Sequence, residues 1–309
     1  MRNTGGKLVR IAALVLVPVL FLGYGLWEAG QVRITRVEIN DPFFHSCLGS
    51  LRIVHLSDIH LDRLGSHERL TLEAVKQAAP DMICVTGDIA QWNRKNASAM
   101  DFLEALNRIA PTFAAFGDAD LSLGRSRCFW CHDRRDIHHL REIGPTVLRN
   151  QVKEIMIKGR RIAVAGLDPG SPPPIVKDFM QASGLAEISR RAPVVILGHF
   201  SKYWSLIPPD CHILWLAGDT HGGQIWVPKF LWPLFRGKDH EHIYGLFGRP
   251  GGKWLFVTSG IGTTERVPFR IGRPPEAALI TFVSKAEENK KGPFPNLLEK
   301  GPQEEEGGK

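Results

Sequence analysis

The pattern of apolar and polar positions alternates between two kinds of segment. Short, β-branched apolar runs read as strands, and they are LRIVHLS, MICVTG, TFAAFG, RIAVAG, PVVILG, ILWLAG, WLFVTSG and AALITFV. Residues 66–79 and 97–109 instead carry apolar side chains at helical spacing, and they end at Pro80 and near Pro111. Most of the strand-like runs end in glycine, which permits a sharp turn on leaving a sheet. This alternation predicts a layered α/β domain.

The N-terminus has a different pattern. Residues 11–27 contain no charge and read IAALVLVPVLFLGYGLW. At 1.5 Å per residue a helix of this length covers about 25 Å, which is nearly the hydrocarbon thickness of a bilayer. A secretory signal has a shorter apolar region and a small-residue cleavage site, and the following GLWEAGQ does not match one. We therefore predict an uncleaved, single-pass transmembrane anchor over 11–27.

Charges on either side of the anchor bear on its orientation. The basic N-terminus, residues 1–10, holds Arg2, Lys7 and Arg10 and favours a cytoplasmic start with an extracytoplasmic domain. Arg33 and Arg36 on the other side weaken that bias.

Composition limits the remaining choices. The chain has 309 residues, of which 43% are hydrophobic and 23% charged, so it can bury a large core and is not collagen, a coiled coil or wholly disordered. Five cysteines are too few for a disulfide scaffold. The net charge of +7 favours anionic partners. Residues 284–309 are rich in Glu, Lys, Gly and Pro, which predicts a disordered tail.

The candidate chemistry stands directly after the strand-like runs. Aspartate or histidine follows five of them, namely Asp58 with His60, Asp88, Asp118 with Asp120, His199, and Asp219 with His221. Any one of these is ordinarily a turn residue or a satisfied surface group. Together they would converge at the carboxyl edge of a sheet, where α/β proteins form their sites. Carboxylates and imidazoles suit Mn, Mg, Fe or Zn, and a shared carboxylate could bridge two ions that hydrolyse a phosphoester.

The same residues carry a family resemblance. The blocks LSDIH, TGD, FGDAD, LGH and AGDTHGGQ resemble the calcineurin-like metallophosphoesterases, whose motifs read DxH, GD, GNHD, GH and GHxH. HGGQIWVP and VTSGIGTTERVPFRIGRPPE resemble the membrane-anchored phosphodiesterase branch, which includes UDP-2,3-diacylglucosamine pyrophosphatases. The resemblance implies a metallophosphoesterase domain over 37–283, folded as a four-layer α/β/β/α sandwich with a binuclear metal site at one edge.

The resemblance also implies a ligand set. The positions of the first metal are held by Asp58, His60, Asp88 and His221, and those of the second by Asp88, Asp118, His199 and Asp219. Asp118 replaces the family's Asn, and Asp219 replaces the first His of GHxH. Four carboxylates nearly neutralise two divalent ions and favour Mn²⁺ or Mg²⁺, with Fe or Zn as alternatives. Because Asp is shorter than His, the second site could be weak or empty.

A third departure concerns catalysis. Ala119 stands where the family has the His of GNHD, which assists the leaving group. Acid–base assistance of this kind is worth about 10²–10⁴-fold. The chain is thus a slower hydrolase, one with a substitute acid, or a binding protein on a hydrolase scaffold. His132, His138 and His139 are the candidate substitutes.

These histidines belong to an insert with two cysteines. Cys128-x-x-Cys131-His132 has the form of a c-type haem attachment, although the single copy and the lack of a haem fold argue against haem. A zinc clip, a disulfide or plain thiols are the alternatives, and a redox protein that carries haem or zinc on Cys128 and Cys131 is an alternative function. Arg125 and Arg127 nearby are candidate phosphate clamps.

A second insert, residues 225–242, is called the aromatic segment below. Its aromatic and leucine side chains, with Lys229, Arg236 and Lys238, suit a membrane surface, or alternatively a loop packed on the sandwich. We expect contact with membrane lipid, a phosphoester or lipid-linked nucleotide as substrate, and no nucleic-acid partner. UDP-2,3-diacylglucosamine is the most specific candidate, yet it is made in the cytoplasm, which conflicts with an extracytoplasmic domain. Cys47, Cys84 and Cys211 are interpreted as structural.

Overall fold

The structure is a computed structural model, and it describes residues 4–91, 97–121, 144–171, 173–208, 211–231, 242–249, 251–264 and 267–284. The described helices are α1 (Thr4–Ala29), α2 (Pro42–Leu48), α3 (Ser66–Ala78), α4 (Ala97–Ile109), α5 (Asp118–Leu121), α6 (Pro173–Ala182) and α7 (Leu185–Arg191). The strands are β1 (Arg33–Asn40), β2 (Ile53–Leu56), β3 (Met82–Thr86), β4 (Thr112–Ala115), β5 (Thr146–Val147), β6 (Gln151–Ile157), β7 (Arg160–Leu167), β8 (Val194–Gly198), β9 (Ile213–Ala217), β10 (Gly245–Arg249), β11 (Lys253–Val257) and β12 (Glu276–Val283). Short 3₁₀ turns cover Ser201–Leu206, His221–Gly223 and Lys229–Leu231.

Two six-stranded sheets form the body of the protein. The first has the order β1-β12-β2-β3-β4-β5, and its pairs are parallel except for β12 with β2. The second has the order β10-β11-β9-β8-β7-β6, with antiparallel pairs at its two edges only. The parallel strands β2, β3 and β4 of one sheet and β8 and β9 of the other lead to the loops that carry the candidate chemistry.

Three apolar clusters show how the layers stack. Between the two sheets, side chains such as Ile53, Met82 and Leu214 interlock and are fully buried. Helices α3 and α4 cover the outer face of the first sheet, and α6 and α7 cover that of the second. Complete burial of a large aliphatic side chain contributes about 1.5–3 kcal/mol, so these clusters hold the layers together. The predicted four-layer α/β/β/α sandwich is confirmed.

Helix α1 has the length and composition to cross a membrane. Its most apolar window, Ala12–Ala29, has a mean hydropathy of 1.8, and 11% of that window is buried. Helix α1, at Thr4–Ala29, extends beyond the anchor predicted for 11–27 at both ends. Pro18 lies inside it without ending it.

Candidate metal centre

The predicted ligands lie together at the carboxyl ends of β2, β3 and β4 and of β8 and β9. The structure brings all seven into three overlapping groups whose donor atoms are within 4.8 Å of one another, namely Asp58 with His60 and His221, Asp58 with Asp88 and His199, and Asp118 with His199 and Asp219. Two of these groups each contain ligands predicted for one ion, and the third, Asp58 with Asp88 and His199, joins the two predicted sets.

The backbone at this edge is strained. Positive φ angles between 49° and 68° occur at five of the seven residues: Asp58, His60, Asp88, Asp219 and His221. Residues other than glycine avoid this left-handed region, and occupying it costs about 1–3 kcal/mol unless the surroundings impose it. Strain concentrated in this way is typical of functional sites.

The first ion position is bounded by two imidazoles and one carboxylate. His60 Nε2 lies 3.1 Å from His221 Nε2, and His221 Nε2 lies 3.6 Å from Asp58 Oδ1. The Asp58 carboxylate is held in place by the backbone N–H of Asp219, which donates to both oxygens. The loops after β2 and β3 are joined by the N–H of His60, which donates to the carbonyl of Asp88.

The second ion position is centred on His199. Its Nε2 lies 3.5 Å from Asp88 Oδ1 and 3.2 Å from Asp118 Oδ1. Asp88 also approaches the first position, because its Oδ2 is 3.6 Å from His60 Nε2. Asp88 thus lies between the two positions, as a bridging ligand must.

The residues present fit divalent cations. His199 Nδ1 donates to the carbonyl of Thr86 at 2.8 Å, which leaves the lone pair on Nε2. That Nε2 is fully buried and makes no hydrogen bond of its own. A buried nitrogen among carboxylates is costly in a protein interior unless a proton or a metal cation is bound to it.

Electrostatics at the site agree with this fit. Burial raises the pKa of Asp88 well above its ordinary value, and the charges of neighbouring carboxylates raise it further. Burial alone lowers the pKa of His199, but Asp88 and Asp118 raise it well above its ordinary value. Burial lowers the pKa of His60 to about 3, so this imidazole is neutral and offers a lone pair. The centre therefore combines carboxylates and a neutral His60 with a His199 that holds a proton among them, and a metal cation that displaced this proton would be stabilised by the same carboxylates.

Asp120 lies beside the site and binds backbone N–H groups. Its Oδ1 accepts hydrogen bonds from the N–H groups of Ile89 and Ala90, and its Oδ2 accepts one from Gly117. The side chain is fully buried, and burial raises its pKa to about 6. Asp120 thus ties the loop after β3 to the loop after β4. Ala119, its neighbour, is also buried, and its N–H donates to Asp88 Oδ1 at 2.9 Å.

Arg270 is a residue that the sequence analysis did not single out. Its guanidinium is completely buried, donates to the carbonyls of Gly262 and Arg273, and lies 3.5 Å from His221 Nδ1. Burial lowers its pKa to about 10, and the carboxylate of Asp58 opposes that change. In the sequence, Arg270 lies within the motif VPFRIGRPPE and does not follow a strand-like run, so its position did not indicate a role in the site.

Some predicted residues lie outside the described part of the chain. These are Cys128, Cys131, His132, His138 and His139, the two arginines Arg125 and Arg127, and the tail from 285 onwards. Of the aromatic segment, residues 225–231 are described. Trp226 and Phe230 there are 50% and 79% exposed. Cys84 and Cys211 are buried and Cys47 is half-buried.

Comparisons with known proteins agree with the site. The family model for calcineurin-like phosphoesterases matches residues 51–223, a range that contains all seven predicted ligands. The chain is 27% identical over 266 residues to phosphodiesterase YaeI of Escherichia coli K12, covering 83% of this chain and 90% of that protein. It is 24% identical over 330 residues to UDP-2,3-diacylglucosamine pyrophosphatase LpxG of Chlamydia muridarum, covering 89% and 97%.

Among solved structures, TT1561 of Thermus thermophilus is similar at 16% identity and a TM-score of 0.46, over 69% of this chain and 90% of that one. The family model spans more than half of the chain and includes every strand end that carries a candidate ligand. This protein belongs to the calcineurin-like phosphoesterase family.

Proposed function

We propose that this protein is a metal-dependent phosphodiesterase or pyrophosphatase that works at a membrane surface on a lipid-linked phosphoester. The observation that carries the proposal is the convergence of four carboxylates and three imidazoles in three overlapping groups at one edge of the sandwich. The lipid-linked substrate is supported by helix α1, by the exposed Trp226 and Phe230, and by the similarity to a pyrophosphatase named for a diacylated sugar nucleotide.

The protein's own residues position the reaction. Asp58, His60 and His221 would hold one ion, Asp118, His199 and Asp219 the other, and Asp88 would be shared. When bound, the two ions polarise a phosphoryl oxygen and lower the pKa of water, which supplies the nucleophile. The chain fixes the ligands before the ions arrive: Thr86 orients His199, the Asp219 N–H orients Asp58, and the Ala119 N–H orients Asp88. Such preorganisation reduces the reorganisation needed during reaction.

A second candidate function follows from one observation. At the position where the family motif has His, Ala119 is buried and offers only its backbone N–H to Asp88. Without a group that protonates the leaving oxygen, the chain would bind a phosphoester or serve as a scaffold and would turn it over slowly. The candidate acids His132, His138 and His139 would restore turnover, and they stay predictions.

Metal content and turnover separate these two functions. Full-length protein in detergent, freed of metal with EDTA and then given Mn²⁺, should bind about two ions per chain and hydrolyse bis-p-nitrophenyl phosphate. Asp88→Asn should lose both properties, because one change removes the shared ligand. Asp101→Asn, an exposed change on α4, is the matched control. Protein that binds Mn²⁺ and phosphate but does not hydrolyse the diester would support the scaffold instead.

Substitution of the insert histidines tests separately whether one of them protonates the leaving group. His132→Ala, His138→Ala and His139→Ala are each compared with wild type under saturating Mn²⁺. A fall in turnover of about tenfold or more with unchanged metal content identifies the acid. Unchanged turnover in all three variants would remove this hypothesis.

A further inference from the structure

The last turn of α1 is docked on the catalytic domain and does not end in a free linker. Gly25 is buried against the segment 267–273, and its carbonyl accepts a hydrogen bond from the N–H of Arg270 at 3.0 Å. A Cβ at Gly25 would lie 2.9 Å from Phe269 Cδ2 and 3.2 Å from Ile271 Cγ1. A glycine is therefore needed here because the helix backbone lies directly against the segment.

Glu28 provides the second part of this contact. The side chain is 2% exposed; one oxygen accepts from the Gly272 N–H at 2.6 Å and the other from the Tyr24 hydroxyl at 3.1 Å. A buried carboxylate at a membrane-helix end is costly unless it is paired in this way. Strand β1 then begins at Arg33, whose N–H donates to the carbonyl of Pro275, so only three residues separate helix and sheet.

One residue joins this contact to the metal centre. Arg270 donates through its backbone N–H to α1, while its guanidinium lies 3.5 Å from Nδ1 of the predicted ligand His221. Its charge is balanced by Asp58 in the site, by Glu276 at the start of β12 and by Glu28 at the end of α1. The metal edge thus lies about one arginine side chain away from the end of the helix.

With α1 in a membrane, this spacing would set the height of the site above the hydrocarbon. The head-group layer occupies about 5–8 Å on each side of a bilayer core. The part of the aromatic segment next to the site also contacts the segment 267–273, because the Trp226 N–H donates to the carbonyl of Ile271 at 2.7 Å. Trp226 and the helix residue Trp27 are both about half exposed, and tryptophan favours the membrane–water interface.

We propose that the last turn of α1 is a structural part of the catalytic centre, with Arg270 as the positioning residue that links the two. It holds the metal edge within the head-group layer, so that the enzyme acts on phosphoesters whose phosphate lies in that layer of its own membrane. This inference rests on the proposed function and adds to it a fixed position for the scissile phosphate.

Two leucine substitutions on the same helix test the coupling. Gly25→Leu forces the helix away from Phe269, whereas a side chain at the control position Gly23 meets no atom within 4 Å. Wild type and both variants are placed in phosphatidylcholine vesicles with Mn²⁺. The measured quantity is a ratio of two rates. The first is the rate of hydrolysis of hexadecyl p-nitrophenyl phosphate in the same vesicles, and the second is that of soluble bis-p-nitrophenyl phosphate, which has the same leaving group.

The expected result is a selective loss. Gly25→Leu should lower the ratio of lipid to soluble hydrolysis about tenfold or more, because a metal edge released from the helix is no longer aligned with the lipid phosphate, whereas a soluble diester reaches it at any height. Gly23→Leu should keep the wild-type ratio. Equal ratios in the two variants would overturn the inference while leaving the hydrolase intact. A wild type that hydrolyses neither substrate removes the proposed function itself.

A cysteine pair tests the docking without any measurement of activity. The Cβ built at Gly25 lies 3.2 Å from Phe269 Cβ, close to the distance of about 3.8 Å in disulfides. Gly25→Cys with Phe269→Cys should therefore crosslink on oxidation in membranes, and peptide mapping identifies the bond. Gly23→Cys with Phe269→Cys is the control and should stay reduced. A pair at 25 and 269 that fails to crosslink would overturn the docked arrangement, even if Gly25→Leu does not fold.

Discussion

Ala119 is the single residue whose identity most affects the chemistry expected of this site. Its backbone already donates to Asp88, so only the side chain separates it from the family's histidine. Ala119→His together with Asp219→His should raise diester turnover by about tenfold or more, because acid assistance contributes about 10²–10⁴-fold. Turnover of bis-p-nitrophenyl phosphate under saturating Mn²⁺ measures the effect.

The control for this change is Ala119→Leu with Asp219→His, which adds bulk at position 119 without a proton donor. Equal turnover in the two double variants would mean that the imidazole adds nothing. The site would then be remodelled for another task, as the scaffold hypothesis requires.

His55 makes stability depend on pH for a reason unrelated to metal. It lies between the sheets with Nε2 2.8 Å from Thr86 Oγ1, and burial lowers its pKa to about 3. The folded state thus binds fewer protons at this position than the unfolded state. Its contribution to stability is complete above pH 6.5 and is lost as pH falls towards 3, by about 1.4 kcal/mol per pH unit.

His55→Gln should remove this dependence of the free energy of unfolding on pH while keeping a hydrogen-bonding group beside Thr86. Guanidinium unfolding in detergent with EDTA, followed by tryptophan fluorescence between pH 7 and pH 5, compares the variant with wild type. Because EDTA removes metal from both proteins, the difference in slope reports His55 alone. Identical slopes would contradict the prediction.

The sequence predicted some site residues and missed others for physical reasons. Asp58, Asp88 and His199 were singled out because each closely follows a strand, and parallel strands bring their carboxyl ends to one edge. The three backbone donors bound by Asp120 are invisible in a sequence, because every residue type carries them. Arg270 was missed because its partner His221 lies 49 residues away and no spacing rule relates them.

At the scale of elements, Asp120 joins two loops that carry ligands. Asp120→Ala leaves the N–H groups of Ile89, Ala90 and Gly117 without this acceptor in a buried place. Each unsatisfied buried group costs about 1–3 kcal/mol, so we expect the free energy of unfolding to fall by about 3 kcal/mol or more. Guanidinium unfolding of the full chain in detergent measures it.

Asp120→Asn is the graded control. Its single carbonyl oxygen can still accept from Ile89 and Ala90, while the bond from Gly117 is lost. The asparagine variant should therefore lie between wild type and alanine in stability. An alanine variant as stable as the asparagine variant would show that the three bonds do not hold the loops.

Sequence patterns located the central strands better than the edge strands. Helices α3 and α4 and the eight predicted strands are confirmed, with ends that shift by a few residues. The strands that went unpredicted are β1, β5, β6 and β10, and these are the outermost strands of the two sheets. An outermost strand has one neighbour and a partly exposed face, so β6 reads QVKEIMI and lacks a continuous apolar run.

At the scale of the whole molecule, the site lies across both halves of the sandwich. Asp58, His60, Asp88 and Asp118 follow strands of the first sheet, whereas His199, Asp219 and His221 follow strands of the second. Bound cations would form bonds to ligands from both sheets, so metal binding should stabilise the complete fold.

We therefore expect Mn²⁺ to raise the Tm of EDTA-treated protein. At a metal concentration of about 100 times Kd, binding to the folded state adds about 2.7 kcal/mol. For a domain of this size that energy corresponds to a shift of about 5–10 °C. Asp88→Asn should lose most of the shift, because it removes the shared ligand, and Asp101→Asn should keep it. Calorimetry that finds no Mn²⁺ effect on wild-type Tm would contradict the metal centre, since ligands drawn from both sheets cannot bind an ion without coupling it to folding.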